Sequence, residues 1–254
     1  RFMTGTWRIA WRNLARNRRR NVATGIAIGL GFAALILLGG YLLRTERFIR
    51  VSTVYLRHIG HIAIYKDKGL EFFAVKPREF GLNAEDQRVI NEVLKDDPRI
   101  DYVGKYLDGT GLVGNGCKTV PFVARGMEPE IDRRARTHPL VVKELAELAQ
   151  ITKGKTLAES PDVEGALMVS NGLARLLGKT HVHAEIPPDR QLVPIADCTV
   201  ANVSELLASD ANVQLAAGTH AGDFSARDGE IVGTYTTGVS ELEDSSITAN
   251  LADM

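Results

Sequence analysis

Residues 16–43 read RNRRRNVATGIAIGLGFAALILLGGYLL, a cluster of arginines (Arg16, Arg18, Arg19 and Arg20) running into a stretch, 22–43, that carries no formal charge. At ~1.5 Å of rise per helical residue this uncharged run reaches ~33 Å, enough to cross a hydrocarbon layer of ~30 Å. A backbone in hydrocarbon has no water to bond, so a run of this length is satisfied as a helix. A transmembrane helix is therefore expected over residues 22–43, between a basic segment 1–21 and an external domain 44–254. A cleaved signal peptide is the competing reading. It fits poorly, because the apolar run exceeds the usual ~7–15 residues and Leu42-Leu43-Arg44-Thr45 is no small-residue cleavage site.

Charge is distributed around this stretch unevenly. The formal net charge of zero hides eight arginines and no acid in residues 1–44, which leaves 23 basic residues and all 31 acids, a net of −8, for the rest. Seven arginines precede the span and Arg44, Arg47, Arg50 and Arg57 follow it, an excess that places the N-terminus inside. Within residues 7–20, Trp7, Ala10, Trp11 and Leu14 recur at helical spacing beside a stripe of Arg8, Arg12, Arg16 and Arg19. An apolar body with a polar tip suits the headgroup layer, so Trp7, Trp11, Arg16, Arg18, Arg19 and Arg20 are expected at the inner membrane interface, against lipid. A cytoplasmic helix packed on a protein partner, or a solvated basic face, are the alternatives. A nucleic-acid role is not expected, since the following span holds these arginines at a membrane surface. Inside the span, Gly25 and Gly29 form a small-xxx-small motif suited to close helix packing, although glycine is also simply frequent in membrane helices.

The external domain of about 210 residues is long enough for a substantial core. Residues 59–65 carry β-formers with partial alternation and are expected to form a strand. Asn83-Ala84-Glu85-Asp86 reads as a helix start, with Val89, Ile90, Val93 and Leu94 on one face and Asp96-Asp97-Pro98 as its end. A second strand is expected over 100–107, giving an α+β or α/β beginning. Residues 109–114 satisfy the letters of the G-x-G-x-x-G dinucleotide fingerprint, but no helix follows. Asn115-Gly116 between two β-like runs predicts a hairpin instead. Gly154-Lys155-Thr156 and Gly178-Lys179-Thr180 lack the earlier glycine of a phosphate loop, and Gly178 reads as the C-terminal cap of a helix over 171–177. The close histidine pairs, His58/His61 and His181/His183, have no partner cluster at metal spacing, and no catalytic triad pattern is present.

Five segments, in order, resemble ABC-transporter permeases of the MacB/FtsX-like type. The first is the run 7–20, from Trp7 to Arg20, before a first span. It is followed by Gly60-His61-Ile62-Ala63-Ile64-Tyr65, similar to the first strand of the MacB-like periplasmic core domain, and by Arg125-Gly126-Met127-Glu128-Pro129-Glu130. Gly172-Leu173-Ala174-Arg175-Leu176-Leu177-Gly178, after a strand over 166–169, is similar to the family's G-x-x-L-A-x-x-L-G helix. Residues 230–238, with Asp244 after them, are similar to its returning strand. The resemblance implies an α+β chain: a transmembrane helix, then a two-lobed periplasmic domain with a porter-like lobe of strand-helix-strand units and a smaller inserted lobe. It implies three further spans beyond Met254 and a dimer with a second permease copy or a homologous permease. It further implies a cytoplasmic ABC ATPase that carries ATP and Mg on its own chain, so no catalytic, cofactor or metal residue is expected here. The location implied is a bacterial inner membrane, N-terminus in the cytoplasm and main domain in the periplasm.

The function implied is to couple cytoplasmic ATP hydrolysis to periplasmic movement, for lipoprotein release or for export of peptides or small molecules. The periplasmic domain would meet a partner or a lipoprotein or peptide cargo. An FtsX-like transmitter that activates a cell-wall hydrolase, a membrane-anchored enzyme and a bitopic sensor are the rivals. Residues 181–212 depart from the family pattern as an insertion, with Pro187-Pro188, Cys198 and a helix-like run 203–207. In the inferred compartment a disulfide persists, so Cys117 and Cys198 either bridge, tying insertion to hairpin, or remain two buried thiols.

Overall fold

The computed structural model describes residues 3–73, 76–179, 198, 207–208, 210–218 and 224–254. They belong to two compact units, residues 1–50 and 51–254. His181, His183, Pro187-Pro188 and residues 203–206 lie outside the described residues.

The first unit is helical. α1 (Met3–Arg16) presents Trp7 and Trp11 to solvent, and α2 (Arg18–Val51) is longer at both ends than the uncharged run that predicts it. Its 34 residues reach ~51 Å. Ile28, Leu30, Leu37 and Tyr41 all lie open, so the helix has no protein core of its own to bury its apolar side chains. One N-terminal helix is thus long and apolar enough to cross a membrane.

The second unit mixes helix and strand around one sheet. It opens with a π-helical turn, Ser52–Leu56. His58 (φ +53°) and Gly60 (φ +72°) then adopt left-handed conformations, and Arg125 donates to the Arg57 carbonyl. These features turn the chain away from the sheet, so residues 59–65 pair with no strand despite their β-forming composition, correcting the expected first strand. Two single turns follow, α3 (Gly69–Phe72) and α4 (Pro77–Phe80), then α5 (Ala84–Leu94). α5 starts where the sequence places it: the Asp86 N–H donates to Asn83 Oδ1 (2.8 Å) and the Asn83 N–H to Asp86 Oδ2 (3.0 Å), a reciprocal cap. The second expected strand is also shorter than 100–107. Residues 100–105 have no ladder partner, with Gly104 close against Ile131, and pairing begins at Tyr106.

β1 (Tyr106–Gly114) and β2 (Thr119–Met127) are the expected hairpin. Asn115 closes it, its Oδ1 accepting from the Cys117 (2.8 Å) and Lys118 (2.6 Å) N–H groups, with Gly116 at φ +90°. The glycine fingerprint therefore lies within a strand. Next come α6 (Pro129–Arg136), α7 (Pro139–Glu144), α8 (Ala146–Ala149), β3 (Ile151–Gly154), β4 (Ala166–Ser170) and α9 (Asn171–Leu176). β5 (Asn212–Gly218), β6 (Phe224–Tyr235), α10 (Ser240–Glu243) and β7 (Ser246–Asn250) complete the unit. Gly178 ends α9 at φ +71°: its N–H donates to Arg175 O (3.0 Å) and that of Lys179 to Ala174 O (2.7 Å), a Schellman arrangement.

The sheet order is β3-β6-β4-β7-β2-β1-β5, and β6 also pairs with β5. Six strands therefore close on themselves, with β3 attached to β6 outside the ring. β6 is long enough for both tasks: its first half pairs with β5 and its second with β4 and β3. Closure leaves few free edges and one inward face. All six strands contribute to one cluster, with Val113, Phe122, Leu167, Val213, Ile231 and Ile247 joined by Leu173 and Leu177 from α9 and its end. Burying each such side chain stabilises by roughly 1.5–3 kcal/mol. A bulge between Leu167 and Met168 lets Met168, Val232 and Tyr235 share the opposite face of β4 and β6. A helical cluster of Val51, Tyr55, Ala135, Val141 and Leu145 forms the third core. The described residues thus follow a single barrel-like sheet; a division into two lobes is not visible in them.

Candidate binding cleft

A cleft of about 940 Å³ opens in the second unit. Its walls are the irregular run 58–66, the Ile90 and Leu94 face of α5, residues 100–105, the first residues of β1, and Met127, Ile131 and Leu251. The two predicted strands that fail to pair are therefore the same segments that line it. α5 has the apolar stripe read from its sequence, but none of its residues is buried. Ile90 and Leu94 face the cleft, while Val89 and Val93 lie open.

Aromatic side chains give the walls their polar points. Tyr55 stacks on His138 (ring centroids 4.1 Å apart) and meets His61 edge-on at 5.9 Å. Burial, then the nearby Asp101 charge, raises the Tyr55 pKa. Tyr102 is raised by burial, Tyr55 and Asp101, against the Arg134 guanidinium 5.2 Å over its ring. The Tyr65 and Tyr106 hydroxyls lie 3.2 Å apart. Burial first, then the bond and charge of Tyr65, pushes Tyr106 up to about 12. At neutral pH these three phenols are protonated, so they can donate hydrogen bonds but do not serve as bases. Across the β1–β2 pair, Arg125 grips Asp108 with Nε (2.5 Å) and a terminal nitrogen (2.6 Å) while lying 4.7 Å over the Tyr106 ring.

Behind one wall lies a buried ionic cluster. His58 Nε2 is 3.2 Å from Asp132 Oδ1, and Arg136 Nε donates to both oxygens of Asp132 at 3.0 and 2.9 Å. Burial alone would raise the Asp132 pKa; the Arg136 charge and the His58 contact outweigh it, and the carboxyl titrates below its ordinary range. Arg136 also reaches the Ala149 carbonyl (3.5 Å) and lies 5.2 Å over the Tyr235 ring. The cluster fastens α6 to the turn that carries His58. Of the histidine pair His58/His61, the first is thus engaged by a carboxylate and the second is exposed. No three His, Cys, Asp or Glu side chains converge at metal distance among the described residues.

The residues singled out from sequence fall elsewhere. Trp7, Trp11, Arg16, Arg18, Arg19, Arg20, Gly25 and Gly29 belong to the first unit, and Gly25 and Gly29 have open space where a Cβ would stand. Cys117 and Cys198 are joined by a disulfide, their Cα atoms 5.6 Å apart across 81 positions. Near that sequence end of α9, the fully buried Lys179 amine donates to Asp210 Oδ2 (3.0 Å), while burial lowers its pKa against the opposing pull of Asp210. The cleft itself was missed from sequence. Its one advance signal is the density of rings in His58, His61 and Tyr65, the last two within the run 59–65 that reads as a strand. Compared with known proteins, the chain matches no family model and no curated protein.

Proposed function

We propose that this chain is the first transmembrane span and external core domain of a MacB/FtsX-like ABC permease, and that it carries no catalytic group. In this reading a cytoplasmic ATPase hydrolyses ATP with Mg on its own chain, and a dimer of permease subunits transmits the resulting movement to a periplasmic partner or cargo. The cargo is a lipoprotein for release, or an exported peptide or small molecule. The membrane is a bacterial inner membrane, with the arginine-rich end inside.

The observation that carries this reading is α2. Its apolar side chains lie open along a helix longer than the hydrocarbon layer, behind Arg18, Arg19 and Arg20. The Gly25 and Gly29 positions, open to close approach, suit packing against further spans. In this reading the closed sheet takes the place of the family's porter-like lobe. Affinity purification of the full-length protein from native membranes tests the proposal. Co-purification of an ABC ATPase, with ATPase activity in the eluate, is the expected result; a cell-wall hydrolase or a sensor kinase with no ATPase overturns it.

A further inference from the structure

The β1 strand has two edges, and only part of the second is used. Along β2 it pairs over its whole length, from Tyr106 opposite Met127 to Gly114 opposite Thr119. β5 meets it only at Leu112, Val113 and Gly114. The ladder phase follows from the turn, where the Asn115 N–H donates to Lys118 O (3.1 Å). Alternation from that bonded pair makes Leu107, Gly109 and Gly111 the residues whose backbone groups face β2. Tyr106 and Asp108 then direct their N–H and C=O groups outward, and both residues line the cleft. No backbone bond is made on that side among the described residues. This is an open edge inside the cleft.

We propose that this edge is a docking site for an extended, acidic segment of a partner polypeptide, which joins the sheet as a strand beside Tyr106 and Asp108. A strand supplies what the edge lacks: alternating acceptors and donors for the two outward N–H and two outward C=O groups. An acyl chain would cover the apolar walls but leave those four groups without partners. Charge selects the sign. Both acids of the cleft wall are already taken, Asp108 by Arg125 and Asp101 by Arg134 at 2.7 Å. Among the cations, Arg99 is held by Asp97, but among the described residues Lys66 bonds a carbonyl alone, that of Glu79 (3.1 Å). Arg78 and Lys105 have no ion-pair partner among the described residues. Among the described residues the groove therefore presents three positive charges without an ion-pair partner beside an open strand edge. Apolar side chains of the incoming strand contact Ile90, Leu94, Ile131 and Leu251, and its carboxylates meet Lys66, Arg78 and Lys105. The site lies within the second unit and does not depend on the permease reading.

The test uses the full chain in detergent micelles and a fluorescein-labelled peptide, acetyl-Val-Glu-Val-Asp-Val-Glu-amide, followed by anisotropy. Saturable binding is expected, with slowed amide exchange at Tyr106 and Asp108. Methylating alternate amide nitrogens of the peptide, which removes strand donors without touching the protein, is expected to weaken binding at least about tenfold. The charge-reversed double variant Arg78→Glu/Lys105→Glu is expected to weaken it by a similar factor, and a lysine version of the peptide is expected not to bind. Equal binding of the methylated peptide, no binding of either peptide, displacement by dodecanoate, or edge protection that grows with protein concentration alone would each overturn the proposal. The last two would assign the groove to lipid and to a second copy.

Discussion

Replacing Asp132 by asparagine removes the charge at the centre of the buried cluster and leaves the Arg136 guanidinium facing a neutral amide. Asp132 is 1% exposed and Arg136 8%, so water cannot take over the lost partner. Breaking one side of such a buried pair costs about 3–5 kcal/mol. That is a large fraction of the ~5–15 kcal/mol by which a domain is ordinarily stable. At a urea slope of ~2 kcal/mol/M the unfolding midpoint should fall by about 2 M. The two tryptophans, Trp7 and Trp11, both lie in the first unit, so the transition is best followed by near-UV circular dichroism from tyrosines such as Tyr55 and Tyr235. The pH dependence has a definite sign. The folded Asp132 pKa is lowered, so its stabilisation is fully present above the unfolded value of ~3.9 and is lost as pH falls through the lower folded value. The variant should lack this acid-labile component. The compensated pair Asp132→Asn/Arg136→Met, which withdraws both charges, should recover most of the loss. A cost below about 1 kcal/mol for Asp132→Asn, or no recovery in the pair, would refute the claim that paired burial holds α6 to the His58 turn.

Three further expectations concern separate parts of the chain. The Cys117–Cys198 bridge spans 81 positions, and on the chain-entropy account reducing it should lower stability by about 4–5 kcal/mol, read as a reductant-dependent shift in the urea midpoint. Gly172→Ala would place a Cβ 2.4 Å from the Glu243 carbonyl and 2.3 Å from Asp244 Oδ1; a loss of ~1–3 kcal/mol is expected by the same denaturation assay. In intact spheroplasts, a membrane-impermeant maleimide should label a cysteine introduced by Ser240→Cys, an exposed position, and spare one introduced by Arg8→Cys.

Elements specified by neighbouring residues were legible in the sequence. The charge-free run after Arg18–Arg20 foretold α2, Asn83 with Asp86 foretold the start of α5, Asn115-Gly116 foretold the hairpin, and Gly178 foretold the end of α9. In each case a local hydrogen-bonding need or a backbone conformation identifies the residue. Residues 59–65 show where this stops: Ile59, Ile62 and Ile64 have the composition of a strand, but a strand exists only where a neighbour pairs with it, and the left-handed turns at His58 and Gly60 send the run elsewhere. Barrel closure was equally hidden, since the parallel β2–β7 and β4–β6 pairings join segments far apart in the chain. The candidate site suffered most. His58 and Asp132 are 74 positions apart, and the open edge of β1 is defined by where β5 parts from it after Ala216, which no local pattern records.

The central claim, that α2 is the first span of a permease, is tested most directly by reading the natural coding sequence past Met254. The account predicts three further uncharged stretches of ~20 residues each, long enough to cross the membrane. A reading frame that ends shortly after Met254, with no such stretch, would contradict it.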